Sequence, residues 1–139
     1  MATLKLREAL YYRLSNYAGL TALVSTRIYP IVAPQKAAMP YVLYEQISRW
    51  HAHAHGLDAT TYNSMIHVTA WADDYDEADN ISVQVRLALQ DYSGNMAGAG
   101  DTFTVQRIFY DGRADLTDMD PETNQVSYQI VQTFIVWHE

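Results

Sequence analysis

Three histidines at alternating positions, His51, His53 and His55, are the residues of this 139-residue chain best placed to do chemistry. Imidazole is the commonest transition-metal ligand, and three on one side of an extended strand suffice for an open catalytic zinc site. The surroundings argue against that use. Ala52 and Ala54 carry no structural signal, and the segment reads as a polar loop. Only Asp58 stands near as an outer carboxylate partner. No metal is expected, and these three histidines are the only candidate ligands.

The acidic run Asp115, Asp118, Asp120 and Glu122 invites a calcium reading. A calcium-binding EF-hand loop needs acids at alternating positions, glycine at its sixth and glutamate at its twelfth. Pro121 follows Asp120 here and the spacing fails, so turn-forming aspartates in a long hairpin loop are the expectation. Nucleophilic catalysis has no motif: there is no G-x-S-x-G elbow, no glycine-rich phosphate loop and no cysteine. His67 lies mid-strand and reads as a packed or interface histidine. The chain is expected to be neither an enzyme nor a cofactor binder.

Charge narrows the partners. Sixteen acidic residues against nine basic ones give a net charge of −7, and the cations are scattered singly. Holding DNA through its phosphates needs clustered cations, so tight nucleic-acid binding is not expected, while passage of DNA without retention is compatible with this charge. No segment is apolar enough to span a bilayer, and the first residues lack the apolar run of a secretory signal. Eleven tyrosines are the compositional excess. They suit protein–protein interfaces and half-buried strands alike.

The positioning elements follow from periodicity. Leu6, Leu10, Leu14 and Tyr17 form one stripe, predicting a helix over residues 4–18 capped by Thr3 and ended by Gly19. A short strand at 27–31 precedes a proline-bounded loop at 32–39. Strands at 41–49 and 62–72 flank a polar loop at 49–61. In the second of these, Ile66, Val68 and Ala70 share one face. A helix at 75–92 has Asp74 and Glu77 at capping-box spacing, with Ala78, Ile81, Val85, Ala88, Leu89 and Tyr92 on its buried face. A flexible loop at 94–100, strands at 102–110 and 126–137, and an acidic connection at 111–125 complete the chain.

The order α-β-β-β-α-β-β predicts an α+β two-layer sandwich: a mainly antiparallel sheet of about five strands with two helices on one face. No linker divides it, so residues 1–139 read as one domain. The last strand ends Phe134-Ile135-Val136-Trp137, apolar on both faces. Two helices cover only one face, so the other calls for a neighbouring subunit.

The ordered string Ala22-Leu23-Val24, Arg27-Ile28-Tyr29-Pro30, Ala33-Pro34-Gln35 and Pro40-Tyr41-Val42 resembles the tail completion (tail terminator) proteins of long-tailed bacteriophages. Ala70-Trp71-Ala72 before a helix, Arg113-Ala114-Asp115-Leu116 entering a hairpin, and the long last strand extend the resemblance over nearly the whole chain. The His-rich insert from Trp50 to His55 departs from the pattern. The resemblance implies a structural virion protein made in the host bacterial cytoplasm. Such subunits close into a hexameric ring at the head-proximal end of the tail tube. The implied partners are further copies of the chain, the major tail tube protein and the head–tail connector or stopper, with DNA passing through the lumen and no membrane. Another neck or tail component, such as a connector or tube-like protein, is the alternative. A small His-metal enzyme is the remaining one. Arg27, Tyr29, Pro34, Gln35, Arg113, Asp115, Asp118, Phe134 and Trp137 are the candidate subunit or partner contacts.

Overall fold

The computed structural model describes residues 2–54, 57–98 and 100–139, and only the backbone of 2, 3, 52–54 and 57–60. In chain order the elements are β1 (Ala2–Thr3), α1 (Leu6–Ser15), α2 (Ala18–Val24), β2 (Ile28–Pro30), β3 (Tyr41–Ala54), β4 (Leu57–Ala72), α3 (Tyr75–Leu89), β5 (Gly94–Asn95), β6 (Asp101–Thr102), β7 (Thr104–Met119) and β8 (Val126–His138). The fold is α+β as expected. Its main sheet is six-stranded and mixed, in the order β2-β3-β4-β8-β7-β5, and β1 pairs separately with β6. Three helices replace the expected two.

The first helix breaks where the leucine stripe gave no warning. Lys5, not Thr3, is the N-cap, and its N–H donates to Glu8 Oε1 at 3.1 Å. Asn16 ends the helix by turning its side-chain amide onto the Tyr12 carbonyl at 2.8 Å. Gly19 therefore does not stop a helix; it lies in the first turn of α2. A side chain there would meet the flexible end of the Gln84 side chain of α3, which would have to shift. Arg13 ties α1 to the other end of α3, its Nε donating to the Ala88 carbonyl at 2.8 Å with its guanidinium over the Tyr92 ring. That satisfies a carbonyl the helix end leaves open. At the start of α3, Asp74 is the N-cap but makes no side-chain capping bond, so the expected capping box does not form.

Two strands outrun their expected length. The polar loop predicted at 49–61 is mostly strand, since β3 and β4 pair out to Ala54 and Leu57. Register shifts at Gln46/Ser48 and His51/His53 break the alternation a sequence reading relies on. Likewise β7 absorbs most of the acidic connection, pairing with β8 from Val105↔His138 to Met119↔Val126 through a shift at Tyr110/Gly112. Between Gly94 and Gly100, β5 forms instead of a plain loop. Asn95 Oδ1 accepts from the Ala97 and Phe103 N–H groups at 3.1 and 2.9 Å.

The helices pack on one sheet face. Val42, Tyr44, Ile66, Val68, Ala70, Ile108, Phe134 and Val136 point into that core beside Leu10, Leu14, Ile81, Val85 and Leu89. Phe134 is 0% exposed at the centre, with the Tyr110 ring edge-on at 5.4 Å. Phe134→Ala should therefore cost the isolated subunit about 3–5 kcal/mol, measured by urea unfolding. A loss below about 1 kcal/mol would mean that the core does not close around this ring.

Candidate functional site

The opposite sheet face carries no helix, and strand register assigns its rows. At one end Trp50, Asn63, Trp137 and Arg107 lie side by side, followed by Ser48, Met65, Ile135 and Phe109. A polar row of Glu45, His67, Thr133 and Gly112 crosses the middle. Then come Leu43, Thr69, Val131 and Ala114, and last Tyr41, Trp71, Gln129 and Leu116. Trp50 is 70% exposed, Leu116 51% and Phe109 49%. Large apolar side chains thus gather in two patches, one toward each end of this open face, with the polar row between them.

The two loops singled out from the sequence converge near its far end. Met39, Tyr41 and Trp71 share a shallow cavity with Asp118, Met119, Asp120 and Pro121. Arg27 and Pro40, from two separate parts of the ordered string, are physically joined: Arg27 Nε donates to the Pro40 carbonyl at 2.7 Å, and Val42 N–H donates to the Arg27 carbonyl at 3.0 Å. The Met39–Pro40 peptide is cis. This clamp lets β2 run parallel to β3 across a connection of only residues 31–40. The Tyr29 ring packs on Tyr41, which stacks on Trp71 at 5.8 Å. The Trp71 indole N–H is buried with no acceptor among the described residues.

The other expected contact residues separate into two groups. Pro34 and Gln35 are both exposed on the loop, Asp118 is exposed on the hairpin, and Trp137 is half-buried on the open face. Phe134 instead faces the core and offers nothing to a partner. Arg113 and Asp115 are occupied within the subunit. Arg113 pairs with Asp115 at 2.9 Å and with Asp79 of α3 at 2.8 Å, and the Tyr75 hydroxyl donates to Asp115. The hydrogen bond from Arg113, and then that from Tyr75, holds the Asp115 carboxyl below its ordinary range. The same acids hold the guanidinium charged. This network fastens the base of the β7–β8 hairpin to α3.

Of the three candidate metal ligands, His51 packs its ring on Tyr62 at 4.9 Å, His53 has no described side chain and His55 lies outside the described residues. No group of three or more His, Asp or Glu residues able to hold a metal occurs among the described residues.

Sequence reasoning missed a cleft of about 560 Å³ beside the N-terminus of α1. Lys5, Leu6, Arg7, Pro30, Ile31, Tyr44, Arg49 and His138 contribute to its walls. His138 is 3% exposed and stacks on Tyr62, and its Nε2 lies 2.8 Å from Ser64 Oγ. Its Nδ1 lies 3.1 Å from the Glu139 carbonyl, which can only accept. The proton therefore sits on Nδ1 and the Ser64 hydroxyl donates to Nε2. The available signal was strand parity, which puts Ser64 and His138 on the core side of β4 and β8.

The whole-chain comparison decides the family. The model of the family described as "Tail completion protein gp17" matches residues 8–139. The chain belongs to that family. As a member it is a phage tail structural protein, and the family is not one of enzymes. A solved chain from "Virion of native gene transfer agent (GTA) particle" is 20% identical. It superposes with a TM-score of 0.61, covering 96% of this chain and 95% of that one. The likeness shows a shared fold. No curated protein matches the chain.

Burial pushes the His138 pKa down, opposed by the Glu139 carbonyl and assisted by the nearby Arg49 charge. The unfolded chain takes up the proton near pH 6.5 while the native subunit does not, so stability is full above that pH and falls below it. Between about pH 7 and pH 5, urea unfolding of this tail protein should show that fall, and His138→Gln should flatten it. An unchanged slope in the variant would remove His138 as its source.

Proposed function

We propose that this subunit closes with further copies into a hexameric ring capping the head-proximal end of the tail tube. There it ends tube polymerisation and joins the tail to the head connector or stopper, with DNA passing through its lumen. The uncovered sheet face carries this reading. Trp50, Met65, Phe109, Ile135 and Trp137 lie together on adjacent strands, and Tyr41, Trp71 and Leu116 extend the surface at the other end. No helix of the subunit packs on this face among the described residues. Burying each fully is worth roughly 1.5–3 kcal/mol, enough in sum to offset the cost of association.

Charge supports the conduit. A chain of net charge −7 repels the DNA backbone at short range, which suits a channel that must pass DNA without retaining it. Residues 1–139 act as one domain in this reading. The loop at 32–39, with Pro34 and Gln35, and the tip of the hairpin, with Asp118, are the parts that meet neighbouring subunits or the tube and head proteins. The outer edge of β7 beyond Ile108, which no described strand of the subunit pairs, offers backbone hydrogen bonds to a neighbouring edge. The ring takes its place in the virion after synthesis in the host cytoplasm.

The paired substitution Met65→Lys/Trp137→Asp tests the face. The subunit should remain folded, because neither side chain belongs to the helix-side core. It should lose the hexamer mass in light scattering, alone or on tail tubes, and yield tails of unregulated length that do not join heads. Normal ring mass and normal infectious particles would contradict the reading.

A further inference from the structure

The hairpin tip and the α1 cleft are complementary, yet no single subunit can bring them together. The tip, residues 118–123, is acidic through Asp118, Asp120 and Glu122, and no lysine or arginine occurs anywhere after Arg113. It is also stiff. Asp120 N–H donates to the Gln125 carbonyl, Asn124 N–H donates to the Asp120 carbonyl, and Asp120 Oδ1 accepts from Glu122 N–H at 2.9 Å. Met119 adds an apolar contact that is 58% exposed.

The cleft offers the opposite character. Lys5, Arg7 and Arg49 rim it against one acidic side chain, Glu139, and none of the three cations takes part in an ion pair among the described residues. Arg49 is steadied over the Tyr62 ring at 4.8 Å. Leu6, Pro30, Tyr44 and Phe103 supply apolar walls, and the space of about 560 Å³ is that of a pocket taking a few side chains.

Register places the two at opposite ends of the sheet. The cleft lies by the row joining Tyr62 and His138, whereas the tip extends beyond the row joining Ala72 and Tyr128. Ten residue steps of strand separate those rows, about 33 Å. A contact between unlike patches at opposite ends of identical subunits is heterologous, and it closes a ring when the rotation per step allows.

We propose that the hairpin tip of each copy seats in the α1 cleft of the next, with Asp118, Asp120 and Glu122 set against Lys5, Arg7 and Arg49. The inference rests on the ring reading and names the contact that propagates the ring. A preorganised turn entering an unpaired basic pocket loses little conformational freedom, so the acid–base match becomes binding and register.

The absence of cysteine makes the test direct. Thr123→Cys on the tip and Gln46→Cys in the cleft leave all six charges in place. The two variants, mixed and treated with a short bis-maleimide, should give a covalent dimer that neither gives alone. The double variant should give a ladder ending at the ring size. Gln125→Cys with Ile31→Cys, which also spares all six charges, serves as a second pair should either first variant fold poorly by circular dichroism. Reversing the tip charges with Asp118→Lys/Asp120→Lys/Glu122→Lys should cut the dimer yield at least tenfold, and Arg7→Glu/Arg49→Glu in the partner should restore it. Assemblies of ring mass that give no mixed crosslink overturn the tip-in-cleft contact and leave the ring reading standing. Equal crosslinking by each variant alone means a symmetric contact and also overturns it. A wild-type chain that never associates, alone or on tail tubes, overturns both.

Discussion

The ladder between β4 and β8 is the constraint on which the rest of this structure depends. It runs unbroken from Tyr62↔His138 to Ala72↔Tyr128 with no register shift, while both flanking ladders contain bulges. Strand parity in that ladder sorts every side chain to one of two faces. Ile66, Val68, Ala70, Phe134 and Val136 turn to the helices, and Met65, Thr69, Val131, Ile135 and Trp137 turn away. A one-residue slip would bury the second set and expose the first. The ladder thus makes the core and the open association face in the same act.

Bulges then adapt the flanking strands to different tasks. In β7 the shift at Tyr110/Gly112 returns Arg113 and Asp115 to the helix side, where Asp79 and Tyr75 hold them. Exposed ion pairs of this kind contribute about 1 kcal/mol or less each. Their role is directional, since they fix the angle at which a hairpin with few core contacts leaves the body. Asp115 contributes while ionised, and its share is lost as pH falls through its lowered pKa. The Arg27–Pro40 clamp plays the matching part for the proline-bounded loop.

Legibility in the sequence followed this division of labour. The buried face of α3, the inward set of β4 and the two-faced apolar end of β8 were readable because one buried surface imposes one period. The break between α1 and α2 was not, because the Asn16 side-chain cap on the Tyr12 carbonyl decides it and the leucine stripe does not. The far halves of β3 and β7 read as loops because bulges shift their phase, and in β7 both faces are exposed beyond Gly112. The parallel direction of β2 left no trace in three residues. Among the expected contacts, Tyr29, Pro34, Gln35, Asp118 and Trp137 lie where a partner can reach. Arg113 and Asp115 serve the subunit itself, and Phe134 serves its core. The basic cleft escaped notice because Lys5, Arg7 and Arg49 come from separate parts of the chain.

The central claim is that the helix-free sheet face is covered in the finished tail. Oxidative footprinting compared between free subunits and purified virions measures that directly, with Trp50, Met65, Phe109 and Trp137 as reporters and Leu87 on the exposed side of α3 as an internal reference. The account predicts that the four sheet residues lose most of their labelling in the virion. Equal labelling of those four in both samples would contradict it.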